Sequence, residues 1–232
     1  MKSLNLTELY PPFGLAIRTP SLVLQVADDA RAAELARNAM SGIHDKGFYP
    51  FATPWTDDSP EAVARAVFNN SARARGWRFG EPWRLNFTVH LRDSMVPVGV
   101  MDLRQQDDSP CAVSTGSWLL KSQHGKGYGT QARAAVLKLA FDGFGSTEAI
   151  TRAYSYNLSS LGVTRKLGYT RDSSEDRQVN GKTVESILFT VSPDAFRSSE
   201  VGSKMLNSIW WTGLDSVLEY FHVTPKGQGH VE

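Results

Sequence analysis

Three glycines at alternate positions, in Gln123-His124-Gly125-Lys126-Gly127-Tyr128-Gly129-Thr130, stand between a strand-like run and a helix-like run. Glycine lacks a Cβ, so the backbone can turn tightly and approach a ligand closely, while the first N–H groups of the following helix stay unpaired and point outward. Their summed dipole favours phosphate. The spacing narrows the choice of phosphate. A P-loop needs Gly, four residues, then Gly-Lys and Ser or Thr, but Leu120 holds the first of these positions and Gly127 follows Lys126. A dinucleotide fingerprint needs G-x-G-x-x-G early in a βαβ unit, whereas this G-x-G-x-G follows segments that read as consecutive antiparallel strands. Taken alone, the glycines also fit a surface turn with no ligand, so the flanking chain decides.

Residues 1–16 contain Pro11 and Pro12 and little periodicity, and read as an extended arm. Leu22 to Val26 is a short strand, and Asp28 caps a helix over about 29–43. The aromatic segment Phe48-Tyr49-Pro50-Phe51-Ala52-Thr53-Pro54-Trp55 either caps a core or walls a pocket. Ser59-Pro60-Glu61 opens the next helix. Leu85, Phe87, Val89 and Leu91 alternate with Arg84, Asn86, Thr88 and His90, the period of a strand buried on one face. Val96–Leu103 and Cys111–Leu120 complete an antiparallel meander that runs into the glycine loop. Thr130 then begins a mostly buried helix to about Phe141. Glu148–Tyr156 reads as a strand, Asn157 as the cap of a helix over Leu158–Leu167, Gly168 as its stop, and Asn180-Gly181 as a hairpin turn.

Pro193 to Phe196 closes the compact part, which gives a body over 17–198 and an extension over 199–232. In the extension, Ile209-Trp210-Trp211 reads as a strand and Leu214 to Phe221 as a helical turn or two. The tail from Pro225 has too few apolar residues to order by itself. Trp210, Trp211, Leu214 and Phe221 must pack on something, either the body or, as a homodimer, a second copy. With 25 Lys and Arg against 24 Asp and Glu and no basic block, nucleic acid is not the expected partner. One cysteine, Cys111, agrees with a reducing, cytoplasmic setting, and no segment approaches the ~20 apolar residues of a membrane span. No His, Cys and carboxylate spacing suggests a metal.

The order of strands, glycine loop, buried helix, strand, Asn-capped helix and hairpin resembles that of the GNAT N-acetyltransferases, closest to the branch of the ribosomal-protein N-terminal alanine acetyltransferases. The likeness spans about residues 17–197 and is carried by Arg18-Thr19-Pro20-Ser21-Leu22-Val23-Leu24, Thr53-Pro54-Trp55, Thr115-Gly116-Ser117-Trp118-Leu119, the loop itself, and Asn157-Leu158-Ser159-Ser160 with Val163, Lys166, Gly168 and Tyr169. It implies an α/β (α+β) fold, a central mixed, mostly antiparallel twisted sheet flanked by helices. It also implies an acetyl-CoA-dependent acyltransferase acting on a primary amine of a small molecule or a protein N-terminus. A larger acyl donor such as succinyl-CoA, and a catalytically silent acyl-CoA-binding module, are the alternatives.

On this resemblance, His124, Gly125, Lys126, Gly127, Tyr128, Gly129 and Thr130 cradle the pyrophosphate, and the thioester lies between Trp118-Leu119-Leu120 and Tyr154-Tyr156. Asn157 contacts the pantetheine and Ser160 lies near the sulfur as proton donor to the departing thiolate, with Tyr156 in reserve; Asn157 is equally a plain N-cap. Asp102 interrupts an apolar strand face and is either the base for the amine or a solvated strand residue, with a water relay as the third option. Three departures stand out: His124 where Arg or Gln is usual, Gln131 where many relatives have Glu, and no carboxylate in Ala112–Leu120.

Overall fold

The computed structural model describes residues 3–224. Among these described residues nine strands form one sheet, in the order β7-β8-β6-β5-β4-β3-β2-β1-β9. They are β1 (Ala16–Arg18), β2 (Leu22–Val26), β3 (Arg84–Leu91), β4 (Pro97–Gln105), β5 (Ala112–Leu119), β6 (Glu148–Tyr154), β7 (Thr170–Val179), β8 (Lys182–Val191) and β9 (Trp210–Thr212). Every neighbouring pair is antiparallel except β5 with β6. The helices are α1 (Leu6–Leu9), α2 (Asp29–Ala39), α3 (Pro60–Ala74), α4 (Tyr128–Lys138), α5 (Leu158–Lys166), α6 (Pro193–Ser198), α7 (Gly202–Met205) and α8 (Leu214–Tyr220).

Helices α2 and α3 cover one face of the sheet through Leu35, Ala39, Val63, Val67, Val100 and Leu120. The other face carries the larger core, built on α4 with Phe87, Met101, Leu103, Val136, Leu137 and Phe196. Local signals act as their chemistry dictates. The Asp28 carboxylate accepts from the Arg31 N–H at 2.8 Å, and the Ser59 hydroxyl from the Ala62 N–H at 3.2 Å, so both helices start where their caps stand. Asn180 and Gly181 both take positive φ, +48° and +72°, as a two-residue hairpin of this kind requires.

Four expectations are corrected. The arm is not extended: Asn5 caps α1 with a reciprocal Glu8 bond, Pro11–Gly14 makes a 3₁₀ turn, and β1 precedes β2. Helix α2 ends at Ala39, and Gly42 follows at φ +105°. Helix α4 starts at Tyr128, two residues early, because Gly127 itself is its cap. The polar face of β3 is not solvated, since Asn86, Thr88 and His90 are all buried beneath α2 and α3. Asn86 meets Ser71 of α3 at 3.0 Å, and burial pushes the His90 imidazole below its usual pKa.

The extension packs on its own body. Strand β9 pairs with β1, and Ile209, Leu214, Val217 and Phe221 are buried in the larger core, with the Phe221 ring stacked 5.8 Å from Trp83. Of the four residues named for self-association, only Trp210 is largely exposed, and Arg18 lies 5.2 Å over its ring. The tail from Pro225 lies outside the described residues. A chain ending at Ser198 loses five buried apolar side chains from the core, Val201 with Ile209, Leu214, Val217 and Phe221, worth about 2 kcal/mol each, against a net stability of about 5–15 kcal/mol. It is expected to show no cooperative thermal transition by circular dichroism. A melt within a few degrees of the full chain would contradict the role given to the extension.

Candidate active site

The glycine loop leaves β5 through a short 3₁₀ turn, Lys121–Gln123. That turn is docked on the loop after α2: the Lys121 N–H donates to the Gly42 carbonyl at 3.1 Å and its ammonium reaches the Asp45 carboxylate. His124 Nε2–H donates to the Leu119 carbonyl at 3.0 Å, which ties the loop to the strand end. Gly125 and Gly127 sit at φ +76° and +80°, and a Cβ on either would meet nothing within 4 Å. The consequence is an open cradle. Among the described residues the backbone N–H groups of Gly125, Lys126, Gly127, Tyr128, Gly129 and Thr130 have no acceptor, and they open onto the N-terminus of α4. Lys126 Nζ rests on Gln123 Oε1 at 3.0 Å at the rim. Gln131 accepts from the Ser21 N–H at 3.0 Å and from the Thr19 hydroxyl, so it clips α4 to the β1–β2 turn.

Beside this cradle the sheet parts. Strands β5 and β6 pair at Ala112–Ser114 with Glu148–Ile150, and one further bond runs from the Thr151 hydroxyl to the Thr115 carbonyl at 3.1 Å. Beyond it, Gly116–Leu119 stays with β4 and Arg152–Tyr154 with β8, leaving a gap whose edges are strand backbone. Such edges carry N–H and C=O groups that an extended ligand can pair with.

The aromatic segment crosses this gap on the α2 and α3 face. The Trp55 ring lies 5.9 Å from Trp118 on β5, while Phe48 lies 5.7 Å from Tyr156 beyond the end of β6. The Tyr156 hydroxyl donates to the Tyr49 carbonyl. Of the two roles open to this segment in the sequence, walling a pocket is the one its position supports. A cavity of about 110 Å3 lies between the segment and the β7–β8 hairpin tip, lined by Tyr49, Phe51, Thr53, Thr56, Gln178 and Asn180 among others.

The candidate catalytic side chains separate. Ser160 stands on the first turn of α5, at the β6 side of the gap; its N–H donates to Asn157 Oδ1 at 3.1 Å, so Asn157 is an N-cap in the plain sense. The Ser160 hydroxyl has no hydrogen-bond partner among the described residues. Tyr156 is committed to Tyr49, and burial, then Tyr154, holds its phenol above the usual pKa. Asp102 is held by Arg84, with Nη2 at 2.8 Å, and by Asn86 Nδ2 at 2.7 Å, so its oxygens are engaged away from the gap.

Two features went unread in the sequence. Arg133, on the sheet-facing side of α4, is buried; Nη2 donates to Ser117 Oγ at 3.1 Å, while Nε and Nη1 find no acceptor among the described residues. Burial pushes its pKa down, opposed by Tyr169. Its signal was a charge inside the small, apolar run Ala132–Leu137. His44 bonds Thr56 at 2.6 Å in the aromatic loop, and a lone His in an irregular segment carries no pattern.

An anion cradle at a helix start beside a parted parallel strand pair suits a phosphate-bearing ligand with an extended arm, and six free amides are enough for a pyrophosphate. Residues 22–170 match the family model described as Acetyltransferase (GNAT) domain, and the chain belongs to that family. It is therefore an acyltransferase using acetyl-CoA. Similar solved structures include RimJ of Mycobacterium smegmatis in complex with a CoA-disulfide, at 17% identity and TM-score 0.61 over 82% of this chain and 92% of that one. The ribosomal-protein-S5-alanine acetyltransferase of Vibrio fischeri matches at 15% identity and TM-score 0.59, covering 78% and 98%. RimL, a ribosomal L7/L12 α-N-protein acetyltransferase in complex with coenzyme A, matches at 19% and 0.58, covering 76% and 97%. At these identities the likeness speaks to fold.

Proposed function

We propose that this protein transfers the acetyl group of acetyl-CoA to a primary amine, of a small molecule or a protein N-terminus, that enters beneath the aromatic loop. The observation that carries this reading is the gap between Gly116–Leu119 and Arg152–Tyr154, flanked by the cradle on one side and roofed by Phe48–Trp55. The thioester supplies an acyl carbon activated toward amines. The chain's own residues bind and orient it: the amides of Gly125–Thr130 and the Lys126 charge hold the phosphates, and the β5 edge at Trp118-Leu119-Leu120 with Asn157 aligns the arm. Ser160 donates the proton that the sulfur needs on leaving.

Ser160→Ala is expected to lower kcat by about 100-fold, the usual scale for a general acid, with acetyl-CoA affinity unchanged by calorimetry. Near-normal turnover in that variant would remove Ser160 from the mechanism. A second reading, with a carboxylate-ended acyl group such as succinyl, has the unpaired Arg133 guanidinium in its favour, since a buried cation seeks an anion. Titration with acetyl-CoA and then succinyl-CoA separates the two. No helix among the described residues is long and apolar enough to cross a membrane.

A further inference from the structure

We infer that Thr56 and His44 form the proton-accepting pair for the acceptor amine, and that the acceptor is an amine on an uncharged aryl or alkyl body. The inference rests on the acyl-transfer reading above.

The His44 ring is fixed at both nitrogens. Nδ1 lies 2.9 Å from the Asp45 carbonyl, which can only accept, so Nδ1 carries the hydrogen. Nε2 therefore presents its lone pair, and Thr56 Oγ1 donates to it at 2.6 Å. Phe48 and Phe51 pack on the ring, with centroids at 6.2 and 5.9 Å. Asp45, on the same loop, interacts in turn with His44 and with Lys121 and His124 from the stretch that follows β5. The Lys121 ammonium, foremost among them, holds the Asp45 carboxyl below its usual pKa, so an anion stands ready beside an imidazolium formed at His44.

Thr56 lines the cavity that the aromatic loop makes with the hairpin tip, and its neighbour Trp55 reaches the gap through Trp118. Among the described residues that cavity has no charged side chain in its wall. An ammonium entering it would lose water without gaining a counter-ion, so the amine enters as the free base, and the one proton it gives up on acylation goes to a neutral acceptor. Asp102 does not serve, since Arg84 and Asn86 engage it. The uncharged wall equally disfavours an acceptor that carries its own carboxylate or several ammonium groups.

The step balances. The amine nitrogen forms a bond to the acyl carbon as the carbon–sulfur bond breaks. The nitrogen's proton goes to Thr56 Oγ1, whose own hydrogen moves to His44 Nε2. Sulfur takes a proton from Ser160, and solvent exchange restores both residues. His44 acts through Thr56, so the pair must be told apart from a mere latch.

The test follows CoA thiol release from acetyl-CoA with 2-phenylethylamine between pH 6 and 9.5, comparing the parent with His44→Gln, Thr56→Val and Thr56→Ser. Glutamine can still accept from the Thr56 hydroxyl but cannot take a proton. Expected are a loss of about 100-fold in kcat/KM at pH 7 for His44→Gln and Thr56→Val with loss of the acid limb, near-parent rates for Thr56→Ser, and unchanged acetyl-CoA affinity throughout. Imidazole 15N NMR of the free protein should show His44 protonated at Nδ1. A His44→Gln profile within threefold of the parent at every pH, or protonation at Nε2, overturns the pair alone. Parent turnover with phenylalanine or spermidine but not 2-phenylethylamine overturns the acceptor class. Retained acetyl-CoA binding with no release for any of the three amines or for an alanine-initiated peptide overturns the acyl-transfer reading and this inference with it, and release with the peptide alone overturns the inferred acceptor class.

Discussion

Gly127→Asp is expected to weaken acetyl-CoA binding at least 100-fold while leaving the melting temperature nearly unchanged. Gly127 caps α4 at φ +80°, and the space where a Cβ would stand is open, so the substitution clashes with nothing in the protein. An L-residue in that conformation costs about 1–2 kcal/mol, partly offset by about 0.3–1 kcal/mol from a negative charge at a helix N-terminus. The same charge then occupies the site built for phosphate. At about 4 Å and an effective dielectric near 20, like charges repel by about 4 kcal/mol, which alone exceeds a hundredfold. Gly127→Asn provides the control, since it shares the backbone strain and lacks the charge. Its affinity should fall by less than tenfold. Calorimetric titration of both variants decides the matter, and an aspartate variant that binds within a few-fold of the parent would mean the loop is a turn and not an anion site.

Where the sequence was legible, the signals were local. The caps at Asp28, Ser59 and Asn157 and the Asn180-Gly181 turn each depend on a residue type and its immediate neighbours, and each stands as read. What the sequence hid depends on distant partners. The strand alternation of β3 says that one face is apolar; it does not say that α2 and α3 will bury Asn86, Thr88 and His90 on the other. Strand β1 is three residues long, and its pairing with β9 joins segments nearly two hundred positions apart. Asp102 read as an odd carboxylate in an apolar run because Arg84 and Asn86 come to it from the neighbouring strand. The His44–Thr56 contact closes within one loop, yet it needs that loop's irregular path, for which no periodic signal exists.

Gly99→Ala should be the most disruptive single-methyl change in the sheet, lowering stability by at least about 3 kcal/mol. Gly99 lies on β4 opposite Leu119 of β5, next to the irregularity in the β3–β4 ladder at Val89 and His90. A Cβ there would stand 2.3 Å from the Trp118 carbonyl oxygen and 2.9 Å from the Leu119 Cα. Because those obstacles are backbone, no rotamer change relieves them, and β5 itself must move. For a chain of this length about 3 kcal/mol corresponds to a fall of roughly 6–12 °C in Tm. The displaced stretch is also the β5 edge of the gap, so acetyl-CoA affinity should drop with stability. Gly116→Ala, on β5 itself and with nothing within 4 Å of its Cβ, should leave both nearly intact. The contrast separates close backbone approach from a general intolerance of side chains along β5. A Gly99→Ala protein melting within about 2 °C of the parent would show that β4 and β5 can part without cost, and that the gap does not owe its shape to this contact.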